Sequence, residues 1–135
     1  MTVPAKKELM DMQITFPGGV AVEAAFGGFT IRTDQPEAGG GENSAPSPFD
    51  TFLASIGTCA GFFALRFCQQ RDISSEGLGL TLDLERNPET RRLDKIVMDI
   101  QLPEGFPDKY KKEIIRANFP KEKDGYLVVP KVIDD

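Results

Sequence analysis

The stretch from Ser47 to Arg71, SPFDTFLASIGTCAGFFALRFCQQR, limits what this chain can fold into more than any other. It opens on Ser47, Pro48 and Asp50: a hydroxyl N-cap, a proline at the first helical position and an acid at the third. Large apolar residues recur at Phe52, Leu53, Ile56, Phe63 and Phe67, which is helical spacing. Ala54, Gly57, Ala60, Gly61 and Ala64 fill much of the remainder. A helix that is apolar or small nearly all round is expected to be buried. Gly57 and Gly61 each cost about 1 kcal/mol relative to alanine in a helix, and the compensation expected is close approach by another backbone. The segment reads as a central helix with protein on most sides and Cys59 at its middle.

Before it, Met12 to Phe16 and Val20 to Phe26 read as strands joined by a turn at Pro17, Gly18 and Gly19. Gly27 and Gly28 turn the chain into a third strand, Phe29 to Asp34. From Gln35 to Ser47 the chain reads as loop, and its glycine run lacks the GxxxxGK[ST] continuation of a phosphate cradle. After the helix, Leu78 to Glu85 alternates strictly, with Leu78, Leu80, Leu82 and Leu84 on one face, and Leu93 to Leu102 supplies its antiparallel partner. Pro107 opens a second helix, Asp108 to about Asn118, with Tyr110, Ile114 and Ile115 inward. Asp108–Lys112 and Lys109–Glu113 are expected as i,i+4 pairs on its outside. Lys121 to Gly125 reads as a charged turn, followed by an apolar run, Tyr126 to Val129, and an acidic tail. The class expected is α+β, helices laid on antiparallel sheet, in one domain over residues 1–135. A helix this apolar is hard to hide in one small subunit, so a homodimer is expected in which two such helices pack together under sheet from both chains.

With a net charge of −5 and a pI near 4.8, the chain is expected to bind neither nucleic acid nor an anionic membrane surface. MTVPAKKELMDM is not a signal peptide, and no segment is expected to have the length of a membrane span. Two cysteines without a secretory signal point to a reducing cytoplasm. The chain has no histidine. Ser-His-Asp and Cys-His chemistry are therefore absent, and two cysteines alone do not close a zinc site, so neither metal nor cofactor is expected. Any catalysis falls to cysteine, carboxylates, arginine, lysine or a cofactor that the residues themselves do not announce.

Cys59 has two readings. A free cysteine is often a small buried hydrophobe. As a nucleophile it needs a cation to favour the thiolate, and mid-helix the dipole offers little. Arg32, on the third strand, is the candidate cation, because Arg66 and Arg71 lie on the same helix. Cys68 lies about 13 Å along the axis from Cys59 and half a turn out of phase, so the two do not bridge within one continuous helix. Asp50 is a cap residue or a site carboxylate. Phe62 and Phe63 are packing residues that would make any pocket beside Cys59 apolar.

The run GGFTIRTDQPEAGGGENSAPSPFDTFLASIGTCAGFFALRFC resembles the core of the osmotically inducible protein C (OsmC) family, which includes the organic hydroperoxide resistance proteins. The resemblance extends from about Phe16 to Asn118. It implies an intertwined α+β homodimer, antiparallel sheets wrapped around two central helices set back to back. It also implies a thiol peroxidase in which Cys59 is the oxidised cysteine and Arg32 comes from the strand region that supplies an arginine. The glutamate of the hydroperoxide-resistance branch would fall on Phe49, leaving Asp50 as a neighbouring stand-in. Phe62 and Phe63 would meet the substrate. The family pattern then runs into a resolving cysteine, but this chain has none beyond Cys68, and residues 119–135 diverge. Two functions follow as expectations. One is a one-cysteine peroxidase reducing a small apolar hydroperoxide with an external thiol. The other is a non-catalytic dimer holding a small hydrophobic ligand, with Cys59 structural.

Overall fold

The computed structural model describes residues 10–118, 121–123 and 126–128. Two compact units divide the chain, Met1–Ala54 and Ser55–Asp135, with one long helix, α1 (Pro48–Gln70), running across the division.

The first unit contains β1 (Gln13–Gly18), β2 (Ala21–Phe26) and β3 (Phe29–Thr33), an antiparallel sheet in the order β1-β2-β3. The β2–β3 connection is Gly27-Gly28, both at positive φ (57° and 81°), flanked by the pair Phe26 and Phe29. That is the two-residue hairpin whose turn matches strand twist. β1 runs through Pro17 to Gly18 instead of ending at Phe16, because an edge strand with a broken ladder between Thr15 and Gly18 needs no donor there. Ile14, Ala24 and Ile31 lie opposite one another on one face of the sheet, and Thr15, Glu23 and Arg32 on the other. The apolar face is open: Ile14 is 54% exposed and Phe29 70%.

Between β3 and α1 the loop is organised by Asp34, which is only 3% exposed. Its carboxylate accepts the N–H of Gln35 (2.8 Å), of Glu42 (3.3 Å) and of Ser44 (3.0 Å), and the Ser44 hydroxyl (2.6 Å). The Asp34 N–H donates to the Pro46 carbonyl at 3.0 Å, which ties the two ends of the loop together. Gly41 is forced by this packing: a Cβ there would lie 2.6 Å from the Gln35 carbonyl carbon and 2.8 Å from Asp34 Oδ1. The chain then enters α1 as expected, with the Asp50 N–H donating to Ser47 Oγ at 3.1 Å.

In the second unit, β4 (Gly79–Arg86) pairs antiparallel with β5 (Leu93–Gln101). Leu80, Leu82 and Leu84 face Ile100, Met98 and Ile96, the expected apolar side. The core is Ala64, Phe67 and Cys68 of α1 with Phe106 and Ile114, packed by Ile73, Leu78, Leu102 and Tyr110. α1 ends on Asp72 at φ 53°, with the Ile73 N–H returning to the Cys68 carbonyl at 2.9 Å.

Several expectations are corrected. Within this chain α1 is covered on one side: Leu53, Ala60, Ala64, Phe67 and Cys68 are buried, whereas Phe49, Phe62 and Phe63 are 40–57% exposed, which leaves the expected cover from a second chain untouched. Its 23 residues are also long and apolar enough, by length and composition, to cross a membrane, contrary to the sequence expectation. Alanine and cysteine between the phenylalanines keep its hydropathy high without any long unbroken run of large apolar residues. A Cβ at Gly57 would lie 2.9 Å from a close neighbour, but that neighbour is the Leu82 side chain rather than backbone, and a Cβ at Gly61 would meet nothing within 4 Å. The second helix starts as a 3-10 turn (Asp108–Tyr110) before α2 (Lys111–Asn118). That turn eclipses i and i+3, so Asp108 pairs with Lys111 at 2.6 Å rather than with Lys112, and Glu113 reaches Arg71 rather than Lys109. Ile114 is fully buried, but Ile115 is 41% exposed, because adjacent residues of a helix point about 100° apart. Finally, Lys121–Lys123 forms a strand, β6, paired with β7 (Tyr126–Val128), where a charged turn was expected. Val129, the end of the expected apolar run, and the acidic tail after it lie outside the described residues.

This packing sets the cost of single substitutions. Ile114→Ala costs about 2–5 kcal/mol of stability by opening a cavity. Ile115→Ala costs under about 1 kcal/mol. Urea titrations of the two variants read the contrast. Four donors hold the Asp34 carboxyl at about pKa 2, with the Ser44 hydroxyl the strongest influence, against an ordinary 3.8. Its native pKa lies below the unfolded one, so the linked stability is complete above about pH 4 and is lost as pH falls towards 2. Asp34→Asn therefore melts earlier than the unsubstituted chain at pH 7, and the gap in melting temperature closes between about pH 4 and 2. Gly41→Ala melts earlier at every pH, by about 1–3 kcal/mol of stability.

Candidate functional site

α1 presents Cys59 to solvent. Phe62 and Phe63 follow at i+3 and i+4, where side chains share a helix face, and both are exposed (57% and 47%). Arg66 continues the same stripe one turn further, its Nη1 donating to Gln69 Oε1 at 3.4 Å. Sequence reasoning placed Cys59 beside two phenylalanines, and the helix brings these three together. Cys68, nine residues on, falls on the opposite side and is completely buried. Burial pushes the Cys68 thiol up, with a smaller opposing pull from the Arg71 guanidinium. α1 is continuous over Pro48–Gln70, so the two sulfurs do not bridge.

Beyond Phe63 an open groove of about 420 Å³ runs along α1, lined by Phe62, Phe63 and Phe67, by Arg66, Gln70 and Arg71, and by Glu113 of α2. Arg71 is the fixed point of this groove. Its guanidinium lies 3.6 Å above the centre of the Phe67 ring and 5.4 Å from that of Tyr110. Nη1 donates to the Phe67 carbonyl at 3.3 Å, and Nη2 lies 3.9 Å from Glu113 Oε2. Sequence reasoning set Arg66 and Arg71 aside because they lie on the same helix as Cys59. Their spacing from Phe62, Phe63 and Phe67 is the signal that would have placed them on a shared groove.

Arg32 and Asp50 belong to the first unit. Arg32 Nη1 forms an ion pair with Glu23 Oε1 at 2.9 Å across the β2–β3 ladder, and Nη2 lies 3.5 Å from Ser44 Oγ. Ser44 has already given its hydroxyl hydrogen to Asp34, so its oxygen is left to accept from Arg32. Glu23, Ser44 and Asp34 were all missed in sequence, because a cross-strand pair and a buried loop carboxylate depend on register and loop closure. Asp50 is exposed in the first turn of α1 with its amide on Ser47. Among the described residues there is no group of three or more Cys, Asp or Glu arranged to hold a metal ion.

A search of curated proteins returns no match. The crystal structure of a protein from Psychrobacter arcticus 273-4, named for osmotic stress induction and a detoxification response, superposes with a TM-score of 0.71. It is 19% identical, over 84% of this chain and 85% of that one, a likeness of fold alone. The family model for OsmC-like proteins matches residues 40–118, more than half of the 135 residues, including all of α1, the β4–β5 hairpin and α2. With an α+β fold of small antiparallel sheets and helices around that matched segment, the chain belongs to the OsmC-like protein family.

Proposed function

We propose that this chain is a one-cysteine thiol peroxidase for small apolar organic hydroperoxides, acting as a homodimer in the cytoplasm. The observation that carries the reading is Cys59: a solvent-exposed thiol midway along α1, flanked at i+3 and i+4 by exposed Phe62 and Phe63. The stress and detoxification name of the Psychrobacter relative agrees with it. In the first step the Cys59 thiolate attacks the distal oxygen of the hydroperoxide. An S–O bond forms, the O–O bond breaks, and the alkoxide takes a proton from water to leave as the alcohol, with Cys59 oxidised to the sulfenic acid. An external thiol condenses with the sulfenic acid, releasing water and leaving a mixed disulfide. A second external thiol attacks that disulfide and returns Cys59 to the thiol. Cys68 takes no part, being buried and out of phase. Arg32 is the cation this reading assigns to the thiolate, with Glu23 as its structural partner, and Asp50 is the carboxylate nearest the position of the missing family glutamate.

The dimer rests on two uncovered apolar surfaces: Ile14, Phe29 and Ile31 on the sheet, and the exposed side of α1. Contiguous exposed apolar surface of this kind marks interaction sites. Ala54, Thr58 and Gly61, at i, i+4 and i+7, form a small-residue strip on α1 along which a second helix fits. Ala54 and Thr58 are exposed, and a Cβ at Gly61 would meet nothing in this chain. A non-catalytic binding protein is the second reading, favoured by the groove along α1.

Cys59→Ser abolishes consumption of cumene hydroperoxide by the reduced protein in a stopped-flow assay, while Cys68→Ser retains it. Arg32→Gln slows the reaction by about 10²-fold, the scale of losing one positioned charge donor. A Cys59 thiol that reacts no faster than free cysteine would sink the peroxidase reading. Sedimentation gives the mass of two chains, and Ile31→Asp shifts it towards one.

A further inference from the structure

Among the described residues Asp34 is the one charged side chain that is buried, and the proposed cycle gives it no task. It takes the Ser44 hydroxyl hydrogen at 2.6 Å, although Ser44 itself lies exposed. Two chemistries are open to such a pair. In the first, Asp34 is the base of a serine nucleophile. A general base works with a pKa near the operating pH, and the donors around Asp34 hold it at about 2, too low to take that proton. In the second, the hydrogen stays committed to Asp34 and the Ser44 oxygen becomes an acceptor of fixed direction. Arg32 Nη2 lies 3.5 Å from that oxygen.

Little else holds the Arg32 guanidinium. Its side chain is 45% exposed, and the ion pair with Glu23 is made through Nη1 at 2.9 Å. An exposed pair of this kind is weak and lets the side chain pivot about its single contact. A second acceptor, on Nη2, sets the plane of the rigid fork. At 3.5 Å that contact is long, so it steers direction more than it adds stability. A hydroxyl also leaves the guanidinium its charge, where a second carboxylate in contact would cancel it. We infer that Ser44 is a positioning residue: with its hydrogen committed to Asp34, its oxygen orients the Arg32 guanidinium. Because the Ser44 N–H and O–H both end on Asp34 Oδ2, closing the loop between β3 and α1 and aiming the cation are one event. The inference rests on the peroxidase reading only for what the aimed cation then does, which is to favour the Cys59 thiolate.

Nitrogen NMR of the full chain reads the guanidinium directly. The Arg32 Nη signals, identified by their loss in Arg32→Gln, form a resolved pair in the cold because both nitrogens are held. Ser44→Ala merges the pair, and Ser44→Thr, which keeps a hydroxyl, preserves it. Stopped-flow oxidation of Cys59 by cumene hydroperoxide reads the consequence. Ser44→Ala slows it about three- to tenfold, part of the loss expected when a positioned charge donor is removed outright. Ser44→Thr restores the rate, and in an Arg32→Gln background Ser44→Ala has no further effect, since Ser44 acts through Arg32. Nη signals indifferent to Ser44→Ala overturn the inference and leave the peroxidase reading standing. So does an equal slowing with and without Arg32, or labelling of Ser44 by a fluorophosphonate, which would make the hydroxyl a nucleophile. If Cys59 is unreactive, the peroxidase reading falls and the merging of the Nη pair alone decides Ser44. If circular dichroism shows Ser44→Ala unfolded, the unsubstituted chain decides: a resolved pair supports the inference and one averaged signal overturns it.

Discussion

One unbroken helix with two unlike sides governs the rest. Ala60, Ala64, Phe67 and Cys68 of α1 are buried, and Ala64, Phe67 and Cys68 close the core with Phe106 and Ile114. Small residues on that side let β4 come close enough for Leu82 Cδ1 to lie 2.9 Å from where a Gly57 Cβ would be. At 3.6 residues per turn, the phase of a residue on α1 decides what it can do. Cys68 lands in the core and behaves as a compact hydrophobe. Cys59, half a turn away, lands in water. The same periodicity gathers Cys59, Phe62, Phe63 and Arg66 into one stripe.

Asp34 does for the first unit what the core does for the second. It delivers the chain from β3 to the Ser47 cap through a loop closed by one carboxylate and by the Asp34–Pro46 backbone bond. A carboxylate that accepts several N–H and O–H bonds is well solvated by protein even when shut off from water. The glycine run inside this loop is thereby explained by sterics. Gly40 adopts φ 89° and Gly41 has no room for a side chain, so phosphate binding need not be invoked. Through Ser44 the same carboxylate reaches Arg32, which links loop closure to the placing of a guanidinium.

Much of this was legible in the sequence. The Ser47 cap, the Gly27-Gly28 turn and the leucine alternation of β4 depend on near neighbours, and each appears where expected. What failed depends on what lies across space. Hydropathy marks α1 as needing more cover than one subunit gives but does not say which of its sides this chain covers. Ile114 and Ile115 are alike in composition, and only the start of α2 fixes which faces the core. Glu23 is nine residues from Arg32 in sequence and directly opposite it in the sheet. Arg71 reads as a polar helix end, yet it is stacked on Phe67 and tied to its carbonyl.

The unequal surroundings of the two sulfurs bear on how any redox cycle could close. A protein that resolves its own sulfenic acid needs two thiols able to meet. Here one is buried among Phe67 and Ile114, its thiol form favoured by that burial, and rigid helix lies between it and the other. A cycle through Cys59 must therefore be completed by a molecule from outside. In the proposed cycle that sulfur is reached twice in each turnover, first by a hydroperoxide and then by a thiol. An exposed position on an apolar stripe suits both visits: the phenylalanines favour an organic oxidant, and the open approach admits a reductant too bulky for a sealed pocket. Exposure that would be a liability for a two-cysteine enzyme is, for a chain with one accessible thiol, the condition for turning over at all.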